Sequence, residues 1–186
     1  KETEEQALEK IRDALSAGGC IGIILNTIAR VQRFARLLEE SFPEAELCID
    51  HSHFLLPDRM EREEEILKRV GKQSTPQERK YMITLGTQVL EQSLNIDFDL
   101  LITDLCPMDL LMQRIGREHR HERVRPHALE KAVCVILNGD AEHLEDGAKS
   151  IYGAYLLKRT ALLLPDEVVL PKDIAILVQR TYDETE

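Results

Sequence analysis

Five short apolar runs constrain this chain more than any other feature. They are CIGIILN (residues 20–26), AELCID (45–50), YMITL (81–85), LLIT (100–103) and AVCVILN (132–138). Each is the length of one strand. The richest in isoleucine and valine suit strands buried on both faces. The stretches between them read as helices or polar loops. Residues 3–17 place Ala7, Leu8, Ile11, Ala14 and Leu15 at helical spacing, and Gly18-Gly19 stops that helix. Thr27 stands where a cap is needed for a second helix with an apolar face of Val31, Phe34, Ala35, Leu37 and Leu38. Residues 59–71 are helical but too mixed to define a clean face, and 71–79 read as a polar loop. After residue 141 the chain turns helical, with a run that Pro165 ends and a last helix that Pro171 opens.

At 186 residues the chain is long enough to bury a real core within one α/β domain and a short appendage. The formal charge of −10 argues against a protein that coats nucleic acid without specificity. The charge is partitioned, however: acid gathers at residues 2–9, 61–65 and the end, while 114–125 are locally basic. The four cysteines form no C-x-x-C pair and lie in or beside apolar runs, which suits a reduced, cytoplasmic setting rather than a zinc ribbon or disulfide framework. No signal pattern and no run long enough to cross a bilayer is visible.

Chemistry concentrates in residues 86–121, GTQVLEQSLNIDFDLLITDLCPMDLLMQRIGREHRH. Two strand signals bracket a polar turn and a short helix. A second helical segment follows Pro107 and is expected to carry Arg114, Arg117 and Arg120, spaced by threes, near one face. Gln113, Gly116, Arg117 and Arg120 spell Q-x-x-G-R-x-x-R. A guanidinium keeps its charge at neutral pH and presents a planar fork of donors, which suits the spread charge of a transferring phosphoryl group. The competing structural expectation is that these arginines pair with Glu91, Asp97 or Asp99 and hold one segment against the other.

TQVLEQSL-x-IDFD followed by QRIGR-x-HRH resembles motifs V and VI of superfamily 2 helicases. More narrowly it resembles the helicase part of the CRISPR-associated nuclease–helicases of type I systems. The turn at Asn26-Thr27 resembles motif IV, and residues 170–182 resemble the segment just beyond the motor core of that family. The resemblance implies a RecA-like three-layer domain with a mostly parallel central sheet and flanking helices, over residues 1–140. A helical C-terminal extension, 141–186, packs on it.

By the same resemblance, Arg117 and Arg120 reach ATP phosphates and Gln113 positions them. Asn95, Gly116 and Arg114 lie by the nucleotide, Gly116 being read as a helix start able to lie close to an opposing domain. Thr27, Ser52 and Thr87 touch the backbone of single-stranded DNA. Asn95 stands where the family has Asp, and His53 where it has Arg. The phosphate loop and acidic box that bind ATP and Mg²⁺ are absent from this sequence. LLITD ending at Asp104 resembles the box only superficially. The expectation is therefore a second motor half whose cofactors, ATP and Mg²⁺, are held mainly by an absent first domain. Its expected partners are that domain, a nuclease, single-stranded DNA and a guide-RNA surveillance complex. Alternatives are an RNA helicase half, a non-catalytic interaction module, and a metal hydrolase using Asp50, His51 and His53 with His119 and His121. No third ligand is fixed by spacing, so no metal site is assigned.

Overall fold

All five apolar runs become strands, and all of them pair in parallel. The computed structural model describes residues 2–50, 56–92 and 95–183. Among these residues the strands are β1 (Ile21–Ile24), β2 (Glu46–Asp50), β3 (Met82–Gly86), β4 (Leu100–Asp104) and β5 (Cys134–Leu137), in the order β2-β3-β1-β4-β5. Register follows the apolar runs: Ile21 lies opposite Ile83 on one side and Leu100 on the other. The three inner strands are buried at every position, as strands covered on both faces must be, while the edge strands β2 and β5 are buried only in part.

The helices are α1 (Glu4–Ser16), α2 (Ile28–Ser41), α3 (Leu56–Val70), α4 (Pro76–Arg79), α5 (Val89–Gln92), α6 (Met108–Ile115), α7 (Asp146–Tyr152), α8 (Ala154–Leu163) and α9 (Ile174–Tyr182). One face of the sheet packs Ile21, Ile23, Leu85, Leu100 and Ile102 against Ile11 and Leu15 of α1 and Phe34 and Leu38 of α2. The other face packs Ile24, Met82 and Leu101 against Ile66 and Val70 of α3, with Leu90 and Phe98. This is the RecA-like three-layer arrangement. A third cluster joins Met108, Leu111 and Met112 of α6 to Ala148, Leu157, Ala161 and Leu177 of the C-terminal helices. Among the described residues no helix is long and apolar enough to cross a membrane.

Several helix boundaries differ from the sequence expectation. Residues 76–79 form α4 rather than a loop, because Thr75 and Glu78 close a reciprocal capping box with Pro76 at the helix start. The mixed α3 does own a core face, Ile66 and Val70, while Met60 and Leu67 remain exposed. The last helix begins at Ile174, and Pro171 belongs to the turn before it. Most consequentially, α6 ends at Ile115, so Arg117 and Arg120 are not on a helix. Gly116 follows α6 as its C-cap and opens no helix.

Candidate functional site

In this strand order the chain moves from β1 to one side and then returns to the other, so the crevice between the carboxyl ends of β1 and β4 is the switch point where α/β folds place ligands. Here the crevice is closed by the chain's own charges. Asp104, at the end of β4, accepts the amide of Asn26 at 3.0 Å and a bidentate Arg30 fork at 2.8 and 2.7 Å. Asn138 adds a bond at 3.3 Å. With its oxygens occupied, Asp104 is a latch between β4, α2 and the end of β5, and not a metal-binding box.

Arg114 fills the same crevice. It is 0% exposed, and its Nε and Nη2 both lie 2.6 Å from Glu91 Oε1. Its Nη1 donates to Thr103 Oγ1 at 2.8 Å, with the carbonyls of Asp104 and Ile24 at 3.3 and 3.4 Å. The sequence expectation placed Arg114 beside a nucleotide. In this conformation burial and these acceptors, with the Tyr152 hydroxyl at 3.5 Å as a fifth, leave it nothing to offer a ligand. Burial pushes the Glu91 carboxyl above its usual range against the pull of Arg114.

The segment after α6 leaves the helix through a turn and makes one parallel bridge, at Glu118, to Phe98 of the motif V stretch. Phe98 N–H donates to Arg117 O at 2.9 Å and His119 N–H to Phe98 O at 3.1 Å. His119 takes a φ of +47°, which turns the chain there. Phe98 itself fits because Gly22 of β1 has no side chain; a Cβ there would lie 2.2 Å from the ring. Glu118 is tucked under this pairing, its Oε1 accepting Leu101 N–H at 3.3 Å and Val133 N–H at 2.8 Å. Burial raises its carboxyl to about 7 despite those two amides.

Asp97 and Asp99 flank Phe98 and are saturated by arginines the sequence reading did not single out. Asp99 Oδ1 accepts from Arg79 at 2.9 Å and Arg125 at 2.5 Å, and its Oδ2 accepts Cys20 N–H at 2.9 Å. Burial opposes ionisation of Asp99, but Arg79, the Cys20 amide and Arg125 outweigh it and hold the carboxyl below the usual range. Asp97 accepts Arg125 Nη2 at 2.9 and 3.0 Å, while Arg123 Nε approaches its Oδ2 at 2.6 Å as an ion pair without hydrogen-bond alignment. The backbone N–H of Arg120 also donates to Asp97 Oδ1 at 3.0 Å. An alternating acidic motif beside a basic run signals such pairing, but only the fold decides which arginine arrives.

Arg117 and Arg120 are therefore the arginines of this segment left with free donors. Arg117 is half-buried and donates one Nη2 bond at 2.5 Å to the backbone carbonyl of Glu91, while its buried Nε has no partner. Arg120 is exposed, and among the described residues its guanidinium has no hydrogen-bond or ion-pair partner. Neither guanidinium pairs with the carboxylates of Glu91, Asp97 or Asp99. Asn95 is exposed two residues before Asp97.

The remaining candidates are placed as follows. Gln113 is exposed on α6, facing an open groove lined by Ile174, Ala175 and Val178 of α9. Thr27 caps α2 by accepting Arg30 N–H at 3.2 Å. Thr87 is only 3% exposed and its N–H donates to Asp50 O at 3.2 Å, so here it shapes the turn after β3. Ser52, His51 and His53 lie outside the described residues. Among the described residues no group of three potential ligands could hold a metal. All four cysteines are free, and burial pushes their thiols up, which keeps them inert.

Comparison with known proteins bears on the same segments. Residues 17–123 match the model of the C-terminal part of CRISPR-associated nuclease/helicase Cas3. A CRISPR-associated nuclease/helicase Cas3 of Streptococcus thermophilus is 44% identical over 181 residues, covering 97% of this chain and 19% of the relative. The crystal structure of T. fusca Cas3 with AMPPNP superposes with a TM-score of 0.88 at 33% identity, covering 96% of this chain and 21% of that one. A chain in a CRISPR RNA-guided surveillance complex, pre-nicking, superposes at 0.83 with 29% identity, covering 98% of this chain and 23% of its own. The chain thus spans about a fifth of the length of the relatives it matches. With a RecA-like fold and the Q-x-x-G-R-x-x-R segment in place, it belongs to the family of Cas3 C-terminal helicase domains.

Proposed function

We propose that this chain is the second RecA-like half of an ATP-driven, cytoplasmic single-stranded DNA translocase acting in CRISPR interference, working with a first motor domain, a nuclease and a guide-RNA surveillance complex. One observation carries the reading. Acids around motifs V and VI are paired with Arg30, Arg79, Arg114, Arg123 and Arg125, while Arg117 and Arg120 keep unused donors. A half-buried guanidinium nitrogen without a partner is costly, and such vacancies mark places where a ligand completes the set. Phosphate oxygens fit that vacancy. The neighbours solved with AMPPNP, ATP and ADP support it.

ATP, when bound, supplies the phosphoryl bond whose cleavage drives the motor. Arg117 and Arg120 would hold its phosphates across the cleft, with Asn95 beside them. The forks then stabilise charge that grows only as the bond breaks, and so raise turnover rather than affinity. Asp104, Asp97, Asp99 and Glu91 are all paired internally, so none of them is free for Mg²⁺, and the ion is assigned to the first domain. Thr27 and the turn that buried Thr87 shapes follow β1 and β3, neighbours in the sheet, so a DNA backbone would cross this carboxyl edge. Contacts of that kind read little sequence, as a translocase requires.

The test is kinetic. In the full-length protein, Arg117→Lys and Arg120→Lys should each cut DNA-stimulated ATP turnover by about 10²-fold or more, since a lysine keeps the charge but loses the fork. ATP affinity, single-strand binding and melting temperature should stay near wild type. Loss of all three together would overturn the reading, as would robust magnesium-dependent phosphate release by this chain alone.

A further inference from the structure

The geometry points to Tyr152, at the end of α7, as a positioning residue whose hydroxyl couples the motif IV turn and motif V to the motif VI arginines. Gln88 Nε2 donates to Asn26 O at 3.0 Å and to Tyr152 OH at 2.9 Å. Arg114 Nη2 reaches the same hydroxyl at 3.5 Å. Arg114 in turn grips Glu91, whose backbone carbonyl holds Arg117. The phenol oxygen thus sits midway in an unbroken relay from the β1–α2 turn to a motif VI arginine.

An amide nitrogen has two hydrogens, and here each has one acceptor. Without the hydroxyl, Gln88 keeps only one of its two acceptors, and Arg114 loses its second link to motif V, the first being Glu91. Tyr152 is held ready by features independent of the relay. Glu145 caps α7 through Gly147 N–H at 3.2 Å and Ala148 N–H at 2.8 Å. Gly147 lets the helix begin against Thr27, since a Cβ there would lie 2.9 Å from the threonine methyl. Gly153, at φ +79°, ends it directly after the tyrosine. Tyr152 lies outside the 17–123 segment matched by the family model, within the C-terminal helices. Those helices are then part of the working site rather than a passive cover.

The catalytic consequence rests on the motor reading above, and the experiment separates the two. Tyr152→Phe in the full-length protein should lower kcat for DNA-stimulated ATP hydrolysis about three- to tenfold. KM for ATP and affinity for single-stranded DNA should stay within about twofold. Amide hydrogen exchange should quicken in residues 86–92 and 114–121 but not in β1 or β4. Gln88→Leu should do the same, and the double variant should be no worse than either single one, because both break one relay. Unchanged exchange at both segments overturns the proposal, as do additive effects. Exchange quickened throughout the sheet overturns it too, since that marks a mere core filler. If the wild-type protein shows no DNA-stimulated hydrolysis, the motor reading falls, and the exchange pattern alone decides whether Tyr152 couples the segments.

Discussion

Glu118 stands one residue from Arg117 and two from Arg120, buried where the resembled motif carries a leucine. Its folded carboxyl titrates near 7, raised from 4.5 by burial. Because the folded value is the higher one, its contribution is complete below about pH 4.5 and is lost as pH rises through 7. The loss amounts to about 3 kcal/mol, at about 1.4 kcal/mol per unit. Glu118→Gln keeps an acceptor for the Leu101 and Val133 amides without the ionisation. Urea unfolding should find the two proteins alike at acidic pH and the variant more stable by that amount above pH 8. A variant that tracks wild type across the whole range would show that Glu118 is solvated in solution.

At the scale of elements, α6 ends early so that the chain after it can pair with Phe98, and Arg114 anchors α6 alongside its apolar face of Met108, Leu111 and Met112. Arg114 and Glu91 form an ion pair in a site closed to solvent. Removing one partner of a buried pair strands the other, at about 3–5 kcal/mol. Arg114→Met should therefore destabilise the chain by that amount in denaturant unfolding. Glu91→Leu added to it should recover most of the loss, since two apolar side chains of similar volume need no partner. Failure of the second change to rescue would mean that the bonds to Thr103 and the strand-end carbonyls, not the ion pair, hold α6.

Across the whole molecule, the C-terminal helices complete the core begun by the sheet. Ala148, Leu157, Ala161 and Leu177 close over Met108, Leu111, Met112 and Ile136, and Tyr182 donates to Asp109 at 2.7 Å from the far end of α9. A fragment ending at residue 140 would open that cluster to water. It should lose cooperative unfolding and bind a hydrophobic dye, whereas the chain through residue 183 should unfold in one transition. A fragment with an unchanged melting temperature would show that the extension only decorates a self-sufficient domain.

The sequence alone determined the five strands, the stop at Gly18-Gly19, the cap at Thr27 and the family, because each depends on neighbours in the chain. Period, turn chemistry and motif spacing are local and survive without a fold. The short helix α4 was equally local, written in Thr75, Pro76 and Glu78. Arg117 and Arg120 were legible as residue types, but the segment that carries them was not. Its turn and bridge depend on Phe98, on the room left by Gly22 and on the amides that receive Glu118, all distant in sequence. Which arginine meets which acid was likewise settled only by the tertiary structure. Charges are long-ranged and interchangeable along a chain, and burial alone decides that Arg114 closes the crevice while Arg120 stays open.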